Sequence, residues 1–249
     1  MTMEEKLTVI AQNQQRVYDA GIAKGQFLGE YGGGYTDGKQ AEYDRFWDAY
    51  QINGTRTTCQ GAFAGSGWNS ETLKPKYSVK PKTAAQMFAY CNMHSDQDVL
   101  DLTEVFDKRG LTLDFSNCTD FQQMFYQAKI AKVGTIDCSQ AETTNGILNI
   151  FNSTYLTEVG CFIPPPLAMA PACFQANLET FIVDGEITKS MNLSRCSKLT
   201  AESVDSIIIN LADLCDLETQ TLTLHATVGA ALEDWQKAGM TTLNWTLVY

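Results

Sequence analysis

The stretch Leu111–Cys138, LTLDFSNCTDFQQMFYQAKIAKVGTIDC, decides the fold. Its opening residues Leu111, Leu113 and Phe115 alternate apolar with polar, as in a half-buried strand. A second such run, Val133-x-x-Ile136-x-Cys138, follows at an interval of 23, from Phe115 to Cys138. Counting on gives Cys161 after another 23 and Val183 after 22, the latter within Leu178-x-x-Phe181-x-Val183. Leu224 and Leu247 are again 23 apart. Between these runs an aromatic recurs near a small residue, in Met124-Phe125…Ala128, Ile150-Phe151…Ser153 and Cys173-Phe174…Ala176. A period of this length, a strand plus a buried aromatic return, predicts a leucine-rich-repeat stack. One such unit cannot cover its own apolar face, whereas neighbours stacked on it bury a continuous core. Met191-x-Leu193 arrives only 10 after Val183, which predicts one truncated repeat.

Working outward, the segment 83–92, TAAQMFAYCN, carries Met87-Phe88…Cys91 and is expected to be a capping first unit. A helix near 98–109 precedes the first full strand, and Pro164-Pro165-Pro166 is a loop interrupting the third repeat. Thr200 is a good N-cap for a helix whose apolar face is Val204, Ile207, Ile208, Leu211 and Leu214. A last helix over about 226–238 is expected to end at Gly239 with Leu232 and Trp235 inward, before a closing strand Trp245-x-Leu247.

Upstream, residues 3–24 read as a helix in which Met3, Ile10 and Val17 are seven apart, as are Leu7, Gln14 and Gly21. The polar layer at Gln14 is the kind of device that selects oligomer state in a coiled coil; a surface helix of a larger domain is the other reading. Gly32-Gly33-Gly34 breaks it. A helix at about 39–51 puts Tyr43, Phe46, Trp47 and Tyr50 on one face, read as core rather than as a carbohydrate platform. Residues 52–82 read as an irregular arm. The expected organisation is thus a 1–30 oligomerisation or attachment segment, a 31–82 aromatic helix and arm, and an 83–249 repeat domain. The fold class is α+β, parallel strands with irregular or helical returns.

At 249 residues and 44% hydrophobic, the chain can bury a full core. Its net charge of −11 opposes nucleic acid and anionic membranes as partners, because those are held by Lys and Arg. No stretch reaches the roughly 18 apolar residues of a membrane span, and MTMEEKLTVIAQNQQ has no signal-peptide pattern. The eight cysteines never form C-x-x-C and are read as reduced core residues, Cys118, Cys138 and Cys161 among them, folded in a reducing cytoplasm. His94 and His225 stand in no nucleophile signature, and Gly32–Gly34 lacks the strand before a phosphate loop. Asp98/Asp101 and Glu233/Asp234 are read as solvated helix charges. The reading is a non-enzyme with no catalytic, cofactor-binding or metal residues.

The runs MFYQAKIAKVGTID, CFQANLETFIVDGEI and LSRCSKLTAESVDSIIINLADL…LNWTL resemble the BspA-type (Treponema-type) leucine-rich repeats. With Ala41–Gln51 (AEYDRFWDAYQ) and Ala62–Trp68, the whole arrangement resembles proteins encoded in phages and prophages of gut Firmicutes. The prolines at 164–166 and the short repeat depart from that pattern. The resemblance implies a binding or structural role: a virion component, an oligomeric tail or baseplate appendage that displays its repeats to the host surface. A capsid decoration protein or head fibre, or a bacterial adhesin or scaffold, is the alternative. Implied partners are further copies of itself, favoured as a trimer, other virion proteins through the N-terminal segment, and a host-surface glycan or protein. No nucleic acid and no membrane insertion are expected, and the implied location is the virion, assembled in the bacterial cytoplasm.

Overall fold

In the return segments every second backbone N–H is used locally and the others reach the neighbouring segment. Within Cys59–Gly65, Ala62 and Ala64 donate three residues back to Cys59 and Gly61, while Cys59, Gly61, Phe63 and Gly65 donate to Thr83, Ala85, Met87 and Ala89. The same pattern sends Ala84, Gln86, Phe88 and Tyr90 to Asp120, Gln122, Met124 and Tyr126. It recurs from Phe121, Gln123, Phe125 and Gln127 to Gly146, Leu148, Ile150 and Asn152; all twelve rungs span 2.6 to 3.1 Å. Such a chain of tight turns needs positive φ at the third position of alternate turns. Gly61, Gly65, Gln86, Tyr90, Gln123, Gln127 and Asn149 all adopt it. Only some of these are glycine, and each other residue bears a cost of about 1 kcal/mol.

This computed structural model describes residues 58–65, 68, 73–93 and 99–249, all within one compact unit, Glu42–Tyr249. The expected heptad helix at 3–24, the glycine break and the aromatic face at 39–51 lie outside the described residues.

The architecture is mixed α/β, built from two parallel sheets. The first runs β1 (Leu100–Asp101), β2 (Ile130–Asp137), β3 (Glu158–Ile163) and β4 (Thr180–Val183) in that order. The second runs β5 (Met191–Leu193), β6 (Gln220–Leu224) and β7 (Trp245–Val248). Four helices accompany them among the described residues: α1 (Leu102–Asp107), α2 (Ala201–Ile209), α3 (Ala226–Ala230) and α4 (Asp234–Thr242). Behind the rungs the aromatics form a ladder. Phe63, Phe88, Phe125, Phe151 and Phe174 stack face to face at centroid spacings of 5.2, 5.7, 6.3 and 5.7 Å. All five are fully buried. The recurrent aromatic is therefore the core, and Cys59–Gly65 adds one rung before the expected first unit at Met87-Phe88…Cys91.

The sheet register corrects the counting at several points. Leu111–Phe115 makes a single bridge, Leu113 to Val79, rather than a strand. Val133 and Ile136 pair with Val159 and Phe162, so Cys161 lies opposite Thr135 and not opposite Cys138. It is half-buried on the outer face, not a core thiol. Leu247 pairs with Leu222 rather than Leu224. Met191-x-Leu193 is not a truncated repeat but the first strand of the second sheet. What does recur is an Asx turn: Asp114, Asp137, Asn192 and Asp213 each accept from the N–H two residues on, at 2.9 to 3.1 Å. A short polar side chain can replace a backbone acceptor there, and the next residue, Phe115, Cys138, Leu193 or Leu214, turns inward and is buried.

The helices close edges. Thr200 caps α2 as expected, accepting from Ser203 N–H. The same helix lies along the last strand of the first sheet. Ser203 Oγ accepts from Phe181 N–H at 2.9 Å and donates to Glu179 at 3.0 Å; Ser206 Oγ accepts from Val183 N–H at 2.8 Å. Asn210 Nδ2 donates to the Val183 carbonyl at 3.1 Å. Three polar side chains thus serve in place of a missing strand. The helix expected over 226–238 is two helices: a capping box between Glu233 and Gln236 restarts the chain, and Gly239 lies inside α4. The restart turns Trp235 outward, 53% exposed, although Leu232 is buried as expected.

No disulfide joins any of the eight cysteines; six are buried, Cys161 is half-buried and Cys215 is exposed. Burial pushes the Cys118 and Cys196 thiols up to about 12 and Cys173 up to about 11.

Two outcomes follow from this packing. Phe125→Ala removes the middle ring of the ladder and is expected to cost about 3–5 kcal/mol, read from denaturant midpoints; a loss below about 1 kcal/mol would sink the ladder as the main source of cohesion. The raised thiols set the alkaline limit. Below an unfolded pKa of about 8.5 they stay protonated in both states and add no pH dependence. Above it only the unfolded chain releases the protons. Stability should then fall by on the order of 4 kcal/mol per pH unit for Cys118, Cys173 and Cys196 together until their folded values are reached. A denaturant series at rising pH that stays flat would contradict this.

Candidate functional site

The solvent side of the second sheet begins where β5 fails to start its ladder by backbone alone. Ser190 Oγ donates to Gln220 Oε1 at 2.9 Å and accepts from Thr221 N–H at 2.9 Å, while Ser190 N–H donates to the same Gln220 oxygen at 3.0 Å. On its other flank β5 is bridged to Met169, whose N–H donates to Ser190 and whose carbonyl accepts from Asn192. These links hold Ser190, Asn192, Thr221 and Thr223 side by side on one face, Asn192 directly opposite Thr223.

Over this face opens a cleft of about 520 Å³. Thr144, Asn145 and Leu148 of one return segment and Ala168–Pro171 of the next wall it. Met169, Met191 and Cys173, all but wholly buried, also border it. Apart from Cys173, which burial holds protonated, no lining residue is ionisable. The cleft offers hydroxyls and amides: among the described residues the Thr221 and Thr223 hydroxyls and Asn192 Nδ2 make no hydrogen bond, while Asn192 Oδ1 accepts from Ser194 N–H. Apolar walls with a few convergent neutral polar groups suit an uncharged, hydroxyl-bearing ligand.

A second surface follows the rungs. Positive φ directs Gln86, Tyr90, Gln123 and Gln127 along the outside of the return segments. Gln86 Nε2 donates to Gln123 Oε1 at 2.9 Å, and Tyr90 meets Tyr126 edge to face at 5.5 Å. Tyr155 stands under the Lys129 ammonium at 5.9 Å. Tyrosine and amide side chains combine rigid contact area with adaptable hydrogen bonding.

His225 caps α3, its Nδ1 accepting from Thr227 N–H. Asp101, half-buried, is the N-cap of α1, accepting from Thr103 and Glu104; Glu233 and Asp234 are exposed as expected, and Glu233 also caps α4. His94 and Asp98 lie outside the described residues. Among the described residues no group of three or more His, Cys, Asp or Glu could hold a metal ion, and no helix is long and apolar enough to cross a membrane. On the outer face of the first sheet, Cys161 is raised chiefly by burial, opposed by the Thr135 hydroxyl and reinforced by Asp184 and Asp137.

Sequence reasoning missed the cleft because its walls come from segments far apart in the chain, from Thr144 to Thr223. The one local signal was the alternation Gln220-Thr221-Leu222-Thr223-Leu224, which marks Thr221 and Thr223 as outward. Compared with known proteins, the chain matches no family model, no curated protein and no solved structure.

Ser190→Ala is expected to leave the Thr221 N–H without its acceptor and to cost about 1 kcal/mol. Denaturant midpoints check this, and an unchanged midpoint would show that the Ser190 link does not hold the face.

Proposed function

We propose that this chain is a non-enzymatic binding component of a phage or prophage virion, an oligomeric tail or baseplate appendage. Its parallel sheets and stacked returns are read as a short leucine-rich-repeat solenoid that presents a host-binding face. The observation that carries the reading is the cleft over Ser190, Asn192, Thr221 and Thr223, where neutral donors and acceptors converge between apolar walls. Proton-transfer chemistry near neutral pH needs a titratable group poised there, and this lining supplies recognition instead. The ligand class is a neutral host-surface glycan, whose hydroxyls match the lining. The N-terminal segment is read as the link to further copies, a trimer being favoured, or to other virion proteins. With a net charge of −11 the chain is poorly matched to nucleic acid.

The tyrosine and glutamine ridge favours a second reading, a protein ligand, which also fits a capsid decoration protein, a head fibre or a bacterial adhesin.

Glycans released from bacterial surfaces, titrated into the purified chain, test the first reading. Thr223→Trp fills the cleft from an outward position and should weaken binding by at least about tenfold, or about 1.4 kcal/mol, with an unchanged melting temperature. Absence of glycan binding, or binding indifferent to Thr223→Trp, rejects the cleft as the host-binding face.

A further inference from the structure

The two sheets end differently. The last strand of the first sheet is closed by Ser203 and Ser206 of α2 and by Asn210 at its C-terminal cap. The last strand of the second, β7, bonds through its backbone to β6 on one side, and no described residue bonds to its other side. An open strand edge presents a row of unpaired N–H and C=O groups, which natural proteins ordinarily blunt with Lys, Pro or a bulge. Here the segment Leu243–Tyr249, LNWTLVY, includes no charged side chain and no proline, in a chain whose net charge is −11. Val248 and Tyr249 are 46% and 53% exposed. Tyr249 is also fixed in place: a Cβ added at Gly229 would fall 2.2 Å from its Cγ, so α3 seats the side chain closely while half of it remains uncovered.

From these observations we propose that β7 is an interface, and that its occupant is β7 of a second copy, running antiparallel across a two-fold axis at Leu247. An acidic chain selecting a different partner by charge would present charge at the contact, and the side chains of this edge have none. It is instead complementary to itself. In that register Thr246 stands opposite Val248, two β-branched residues on the outer face, and Trp245 stands opposite Tyr249, two aromatics on the inner one. Both kinds of cross-strand pair are stabilising. The edges vanish into one continuous sheet, β5-β6-β7 joined to its symmetry mate, and the contact is isologous and closed. Thr246 and Val248 lie beside Thr221 and Thr223 on the outer face, so this contact adjoins the proposed ligand cleft; it needs no association through the N-terminal segment.

Sedimentation of the full chain over a wide concentration range, alongside Thr246→Lys/Val248→Lys, tests the proposal. Both positions face solvent, so the variant should stay folded, matching the melting temperature of the wild type at concentrations where the wild type is dissociated, and lysine on an edge opposes strand addition. The expected result is that the double lysine variant halves the assembly mass, whatever other contact is present. Amide exchange of wild-type β7 provides a reading that needs no variant: protection at Thr246–Val248 should rise with protein concentration while that of buried β2 stays constant. A mass unaffected by the lysines, or β7 exchange independent of concentration, overturns the proposal; so does a wild-type chain that remains monomeric throughout.

Discussion

The stacking of Phe63, Phe88, Phe125, Phe151 and Phe174 is the interaction on which the rest depends. Hydrogen-bonded strands lie about 4.8 Å apart, while the rings stand 5.2 to 6.3 Å apart. The mismatch is small enough for rings and backbone rungs to advance together. It also frees the spacing in sequence. The interval from Phe88 to Phe125 is far longer than that from Phe151 to Phe174, yet the two steps are geometrically equivalent, because additional residues leave the stack as surface structure. The longer interval accommodates α1 and the Leu111–Phe115 segment. The period in space is regular and the period in sequence is not.

That difference explains what is legible in the sequence and what is not. Phe125, Phe151 and Phe174 announce themselves because a large apolar ring beside a small residue has few uses outside a core, and Val133 and Ile136 because strand alternation is local. Thr200 is legible as a cap for the same reason. Cys161 is not. Counting at a fixed interval carries Cys138 onto Cys161, whereas the sheet pairs Ile136 with Phe162, a longer step, and a short offset turns a side chain to the other face. Met191 and Leu193 are visible as a strand, but membership of a second sheet depends on their distant partners Leu222 and Leu224. Continuing a helical pattern across Glu233 places Trp235 inward, but the capping box there stops one helix and starts another. The Asx turns at Asp114, Asp137 and Asn192 are the unused signal: an Asp or Asn, an apolar residue and a Ser mark the corner more faithfully than the interval does.

Polar side chains do two jobs here with the same chemistry. Ser203, Ser206 and Asn210 end a sheet by offering donors and acceptors where the next strand would be. Ser190 and Gln220 start a ladder in a similar way. In both places the groups are consumed internally. Close by, at Thr221, Thr223 and Asn192, equivalent groups face outward with capacity to spare, and the surface becomes able to recognise rather than merely to terminate. The candidate site is illegible in sequence because this distinction between spent and unspent hydroxyls exists only in three dimensions.

The rungs between return segments also carry a mechanical consequence. Cys59, Gly61, Phe63 and Gly65 bind the next segment through four parallel bonds at 2.8 to 3.0 Å, and the junctions at Ala84–Tyr90 and Phe121–Gln127 repeat the arrangement. All of them point along the direction in which the segments stack. A pull along that direction loads the four bonds of a junction at once, so none yields until all do. A pull across it, applied at one end of a return segment, meets them singly and opens them in succession. The protein is therefore stiff along one axis and peels along the other, and the direction from which load arrives determines how long it stays folded.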